Sequence, residues 1–272
     1  VIYIHNLTTR CPLRQPFFIS QTWYNEFPMP FYALPVIQEL RAVKSAREVA
    51  FIVRAQRTNE MVLNEVVRKL KLGVSEIQLA RFIVARFKHY GVKALAFEPI
   101  VAFGKGSADI HHWATKARLK KNQVVMFDFG CTVNNFCSDM TRTFWFGEPT
   151  KKFKRVYGAV LTAQKKALKL LISGEKRADK IDISARKFLH KKFGKSKFTH
   201  GLGHGIGTAI HEWPNFKPAS TDILPVGCVM TVEPGVYLPG WGGVRIEDLV
   251  LVKSHGIRNL TCVPKDINSV VI

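Results

Sequence analysis

Four carboxylates stand inside apolar runs that read as β-strands. Asp128 closes VVMFD, Asp139 lies in the next such run, Glu233 sits in VMTVEPG and Glu247 in VRIEDLVLV. A lone buried carboxylate is costly or becomes protonated unless a charged partner, hydrogen bonds or a metal meets it. Four of them converging from neighbouring hairpins would repel one another strongly. A pair of divalent cations relieves that repulsion better than lysines, because carboxylate oxygens bridge two ions at ~3.5–4 Å. Asp128 and Asp139 flank one tight hairpin and can face each other across it. Glu233 and Glu247 do the same if YLPGWGG turns between their strands.

Nitrogen ligands are available nearby in sequence. HGLGHGIG places His200 and His204 among glycines at 201, 203, 205 and 207, a spacing that does not match the dinucleotide fingerprint. The glycines permit a close-packed backbone that exposes both imidazoles to a cleft. His211 follows in AIHEWP, and His111 and His112 lie in ADIHHWAT. Each residue taken singly also has a plain structural reading. Asp128 fits a turn cap at a strand end, Asp139 a partner for Arg142, His200 or His211 a hydrogen-bonded core histidine, and Glu212 a turn residue beside Pro214. A kinase reading of the DFG at 128–130 fails, because HRD and a glycine-rich nucleotide loop are both missing.

Composition bounds the classes. A chain of 272 residues with 47% apolar and 22% charged residues holds one large domain, or two small ones, with a real core. No run approaches 18 apolar residues, which excludes a membrane-spanning helix. Forty-one Lys+Arg against 20 Asp+Glu give +21, a balance that first invites a nucleic-acid partner. The excess is local: residues 151–197 hold sixteen Lys+Arg and three acids. This stretch reads as a solvated basic face, or else as a surface for RNA, a membrane or an acidic partner, with no zinc-finger, RRM or KH signature behind it. Five cysteines, Cys11, Cys131, Cys137, Cys228 and Cys262, form no CxxC pair, so a disulfide framework is poorly supported and a reducing cytoplasmic home is expected.

Residues 1–36 carry five prolines and a cluster of aromatics but one acid, Glu26, and read as an arm or the remnant of a missing N-terminal domain. A helical region follows over 36–70, stopped by Gly73, and Ser75 opens another helix. Strands are expected over 122–130 and, behind a turn near Asn134–Asn135, through TRTFWF. Helices over about 152–172 and 178–192 flank a break at Gly174, and strands return from His200. The class is α+β, and the order helices, strands, helices, strands hints at two related halves.

The order Asp128, Asp139, His204, Glu233, Glu247 resembles the five-ligand set of the pita-bread (M24-type) metallopeptidases, carried by FDFG, SDMTRTF, HGLGHGIGTAIHE, TVEPGVY and GGVRIEDLVLV. The likeness extends over roughly 37–272. It implies a pita-bread fold with two pseudo-symmetric halves around a curved antiparallel sheet, and a catalytic domain over 37–272. It further implies two divalent ions, Mn²⁺ first with Co²⁺, Fe²⁺ or Zn²⁺ as alternatives. Asp128 would chelate one ion, His204 and Glu233 the other, and Asp139 and Glu247 would bridge. His111 resembles a cleft histidine on the leaving side, His211 the histidine that meets the substrate carbonyl, and His200 and Arg245 residues of the proline-specific branch; Glu233 would also move protons.

The implied reaction is attack of a metal-bridging hydroxide on the first peptide bond of a substrate with proline second. The motifs around His204 and Glu247 favour Xaa-Pro aminopeptidase over prolidase and methionine aminopeptidase, although the length is nearer the last. A homodimer is a further expectation from the family. The non-enzyme alternative is a weakly catalytic relative that binds RNA or a protein through the 151–197 face.

Overall fold

The computed structural model describes residues 33–272, so the expected arm over 1–36 lies almost wholly outside the described residues. Residues Gln38–Ile272 form one compact unit. Helix α1 (Ala33–Ala42) is followed by α2 (Ala46–Val67) and α3 (Glu76–His89). The helical run expected over 36–70 is thus broken. Ser45 begins α2 with a capping box, its hydroxyl accepting from Glu48 N while Glu48 Oε2 accepts from Ser45 N at 2.8 Å. Just before it, Lys44 N donates to Gly227 O at 3.0 Å, which holds the break open. A second capping box, Ser75 with Gln78, starts α3.

Strands β1 (Ile100–Phe103), β2 (Gln123–Asp128) and β5 (Thr141–Phe146) make a three-stranded antiparallel sheet in the order β1-β2-β5. Between β2 and β5, the short strands β3 (Thr132–Val133) and β4 (Phe136–Cys137) form a small hairpin. Its turn is Asn134–Asn135, both at positive φ, where asparagine is better tolerated than most residues. The strand expected beyond that turn is interrupted at 138–140, and Asp139 stands in the interruption.

The second half repeats the plan. Helices α4 (Lys151–Ile172) and α5 (Ala178–Phe193) precede β6 (Gly203–Gly205), β7 (Glu212–Phe216), β8 (Val229–Val232), β11 (Asp248–Val252) and β12 (Ile257–Asn259). These strands order as β12-β11-β8-β6-β7, all antiparallel. The hairpin β9 (Gly235–Leu238) and β10 (Gly242–Arg245) projects from the β8–β11 pair. Open antiparallel sheets flanked by helices give the α+β, pita-bread arrangement. Among the described residues no helix is long and apolar enough to cross a membrane.

The two halves are joined where the acids sit. Glu247 N donates to Thr141 O at 3.2 Å, and Arg245 N donates to Thr143 Oγ1 at 3.1 Å. Behind this seam, fully buried Gln164 of α4 donates through Nε2 to Val232 O (3.0 Å) and Ile246 O (3.1 Å). Fully buried Arg142 pairs with Asp248 at 2.8 Å, and Lys265 meets the same carboxylate. Three strand ends are therefore fixed by charge and by carbonyl contacts, and not by apolar packing alone.

Candidate metal centre

A cleft of about 480 Å³ opens at this seam. It brings together all nine residues singled out in the sequence: Asp128, Asp139, His204, Glu233 and Glu247, with His111, His200, His211 and Arg245. Asp128 ends β2 opposite Thr141. Glu233 and Glu247 leave the β8–β11 pair beside the register Asp248↔Val232. His204 lies mid-β6, where a Cβ on the preceding Gly203 would run into the Thr231 carbonyl, so only glycine lets β6 approach β8 this closely.

His204 is oriented for ligation. Its Nδ1 faces Gly205 O at 3.0 Å, which fixes the proton there and leaves Nε2 as a lone-pair donor. Nε2 is 3.3 Å from Glu233 Oε1 and 3.7 Å from Asp139 Oδ2. Burial, with His211 at a ring separation of 4.4 Å, pushes the His204 pKa down to about 4, so the imidazole is neutral. Ligand atoms of Asp139, His204 and Glu247 all lie within 4.8 Å of one another.

The acids are crowded beyond what the protein itself compensates. Burial first, then Glu247, Asp128 and Glu233, hold the Asp139 carboxyl well above the usual range. Burial with Glu233 and Asp128 does the same to Glu247, and Glu233 is pushed up to about 8, chiefly by burial. Asp128 Oδ1 and Glu247 Oε1 are buried with no hydrogen-bond partner among the described residues. Buried acceptors without donors, among mutually repelling carboxylates and a neutral imidazole, are the donor set that a divalent cation satisfies. The residues fit a metal.

Arg245 is the one cation within the acid cluster among the described residues. Its Nη2 meets Asp128 Oδ2 at 2.5 Å, Nη1 donates to the Tyr237 hydroxyl at 2.7 Å, and Nε donates to Thr141 Oγ1 at 2.9 Å. Thr141 in turn donates to Glu247 Oε2 at 2.8 Å, and Thr231 Oγ1, accepting from His204 N, donates to Glu233 Oε1 at 3.2 Å. His200 does not stand free in the cleft as the sequence suggested. Nδ1 faces Gly201 O (2.7 Å), Nε2 accepts from Tyr237 (2.9 Å), and burial lowers its pKa to about 3. His111 is exposed at the cleft wall, whereas His112 turns away to Glu76 Oε2 at 2.9 Å.

Three plain readings fail. Asp139 does not pair with Arg142, which is engaged by Asp248. Glu212 is no turn residue: it begins β7 and accepts from Lys44 Nζ at 2.9 Å and Arg41 Nη2 at 2.6 Å. Asp128 ends a strand but spends one oxygen on Arg245, not on a turn. Sequence reasoning missed Tyr237, Thr141 and Thr231, because a search for charge passes over hydroxyls. One signal was present: Gly235 and Gly243 flank Tyr237, and a Cβ on either would strike its ring or hydroxyl.

Residues 50–254 match the model of metallopeptidase family M24. The chain belongs to that family. An uncharacterized peptidase of Staphylococcus aureus (strain USA300) is 39% identical to this M24 chain over 225 residues, 83% of the chain and 64% of the relative. The M24 chain thus spans about 64% of the length of the curated relatives it matches. Among solved structures, the X-Pro aminopeptidase of Thermotoga maritima MSB8 aligns with TM-score 0.83 and 36% identity, covering 88% of this chain and 67% of that one. The prolidase of Pyrococcus horikoshii OT3 aligns with TM-score 0.82 and 34% identity, over 86% of this chain and 67% of the other.

Proposed function

We propose that this chain is the catalytic part of an Xaa-Pro aminopeptidase that works with two divalent ions, Mn²⁺ foremost. The observation that carries the reading is the convergence of three buried carboxylates, the partly buried Glu233 and His204 Nε2 on one cleft. Five donors exceed what one ion with an open position needs, and oxygen-rich ligation with one imidazole suits Mn²⁺, with Co²⁺, Fe²⁺ or Zn²⁺ as alternatives. Asp128, Asp139 and Glu247 would hold one ion, and Asp139, His204, Glu233 and Glu247 the other. When bound, such ions polarise the scissile carbonyl and lower the pKa of a coordinated water toward neutrality.

The chain's own residues supply the rest. His211, whose pKa burial lowers, is neutral at pH 7 and can donate a hydrogen bond to the oxygen that gains charge. His111, at the cleft wall, meets the departing segment. Glu233, steadied by the Thr231 hydroxyl, carries the proton to the departing nitrogen. Arg245 locks Asp128 in place, and His200 is held neutral against Tyr237. Phe97, Ile100, Ile110 and Ile210 line the cleft and suit an apolar pyrrolidine ring. The likeness to an X-Pro aminopeptidase supports the same choice.

One observation favours prolidase as the second reading. Lys217 lines the cleft, is exposed, and has no carboxylate partner among the described residues. It is placed to take the free carboxylate of a dipeptide. A panel of Xaa-Pro-Yaa, Xaa-Pro and Met-Ala-Yaa peptides with the Mn²⁺-loaded chain tests both. Cleavage of Xaa-Pro-Yaa is expected; cleavage of Xaa-Pro alone, lost through KM in Lys217→Met, establishes the second reading. Cleavage of only the methionyl peptide overturns both.

A further inference from the structure

Helices α4 and α5 pack on each other across the short connection 173–177, and the segment 151–197 that contains them holds +13 of the chain's net charge of +21. The three acids of 151–197 are already engaged locally: Glu175 with Lys180 at 3.4 Å, Asp179 with Arg177 at 2.8 Å, and buried Asp182 with Arg186 at 2.6 Å. Eleven exposed Lys and Arg of this segment are left with no carboxylate partner among the described residues. They recur one helical turn apart, as Lys151 with Arg155, Lys165 with Lys169, and Lys187 with Lys191. Like charges at i,i+4 destabilise an isolated helix, and an ordinary solvated face interleaves the two signs. This face is unfavourable by itself and becomes favourable against a dense row of negative charge.

We propose that the outer face of α4 and α5 binds the phosphate backbone of duplex nucleic acid, at a surface separate from the cleft. None of the cleft-lining residues falls within 151–197. A membrane is the weaker occupant. The apolar stripes of both helices, Val156 and Val160 in α4 and Ile181 and Leu189 in α5, are buried, so no apolar edge is left to enter a bilayer. An acidic protein is weaker too, because stable interfaces need apolar anchors and Ile172 is the one large exposed apolar side chain in the segment. No aromatic of the segment is exposed, so the stacking platform that single strands use is missing. What the face offers is charge along a helix about 33 Å long, close to one turn of a duplex that carries one negative charge per ~1.7 Å.

The test is fluorescence anisotropy of the full chain with a labelled 24-base-pair DNA duplex across a salt series. Saturable binding is expected, with log K falling against log[salt]. The triple variant K165E/K169E/K191E should weaken binding at least about tenfold at ~0.1 M salt and flatten the slope by two to three units, near 0.9 per lost phosphate contact. The control triple R68E/K71E/K93E makes the same change in net charge with exposed residues of the other half and should shift binding less than threefold. Equal loss in both triples, or no loss in either, would mean that net charge or another surface is responsible, and overturns the proposal. So do tighter binding of the matching single strand, binding to anionic vesicles without binding to the duplex, or no binding at ~0.05 M salt. Peptide cleavage by K165E/K169E/K191E should stay unchanged, so this outcome is independent of the assigned reaction.

Discussion

The Tyr237 hydroxyl lies 2.7 Å from Arg245 Nη1, and through that contact one neutral side chain ties the guanidinium to a histidine. The hydroxyl accepts from Arg245 and donates to His200 Nε2 at 2.9 Å, while the other end of the guanidinium holds Asp128. Glycines at 235 and 243 make the room that the tyrosine occupies. Arg245 is buried, so each of its donors needs a partner.

Tyr237→Phe keeps the ring and removes the hydroxyl, leaving one donor of Arg245 and His200 Nε2 unpaired at a cost of about 1–3 kcal/mol. Peptidase kcat/KM should fall about ten- to hundredfold while the denaturation midpoint moves modestly. Steady-state kinetics within twofold of the parent would show that the contact has no bearing on turnover.

Metal should determine stability with opposite signs in two states. In chelator, Asp139→Asn should be at least as stable as the parent, because it removes one of the mutually repelling buried acids. At Mn²⁺ a hundredfold above its dissociation constant, the parent should gain about 2.7 kcal/mol, and Asp139→Asn far less. Urea unfolding of both proteins in both buffers reads this directly.

Lys44 and Glu212 form a buried pair at 2.9 Å that fastens the start of α2 to the strand next to His211. Lys44→Met should destabilise by about 3 kcal/mol, the lower end for breaking a buried pair, because Arg41 still meets Glu212. Lys44→Met/Glu212→Gln should recover part of the loss. A double variant no better than the single would contradict the assignment.

The Glu76–His112 pair predicts a bounded pH window. The hydrogen bond to Glu76 raises the His112 pKa, so its contribution is complete below 6.5 and fades as pH rises through the higher folded value. Burial pushes Glu76 up, but hydrogen bonds from His112, from Thr115 and from Phe103 N outweigh it and hold the carboxyl below its usual value. Its contribution is therefore present above 4.5 and fades as pH falls through the folded value. The stability difference between the parent and His112→Gln should peak between these limits and shrink on both sides, as followed by denaturant midpoints from pH 3 to 9.

The acids were legible in the sequence because each interrupts an apolar strand run, and the glycine–histidine stretch because its spacing permits few other uses. Helix existence was legible from periodicity and from Ser75. The break at Ser45 was not, since apolar spacing continues through it and the anchoring carbonyl, Gly227 O, lies far along the chain. The partners of Glu212 were hidden for the same reason, being 168 and 171 residues away. Tyr237, Thr141 and Thr231 act as neutral hydroxyls whose importance depends wholly on what folding brings beside them.

The proposed reaction depends above all on the cleft holding two ions at once. Elemental analysis of the chain, loaded with Mn²⁺ and freed of excess by gel filtration, measures that number. It should return close to two Mn²⁺ per chain, falling to one or none in Asp139→Asn. A parent protein that retains one Mn²⁺ or none after loading would contradict a two-ion centre.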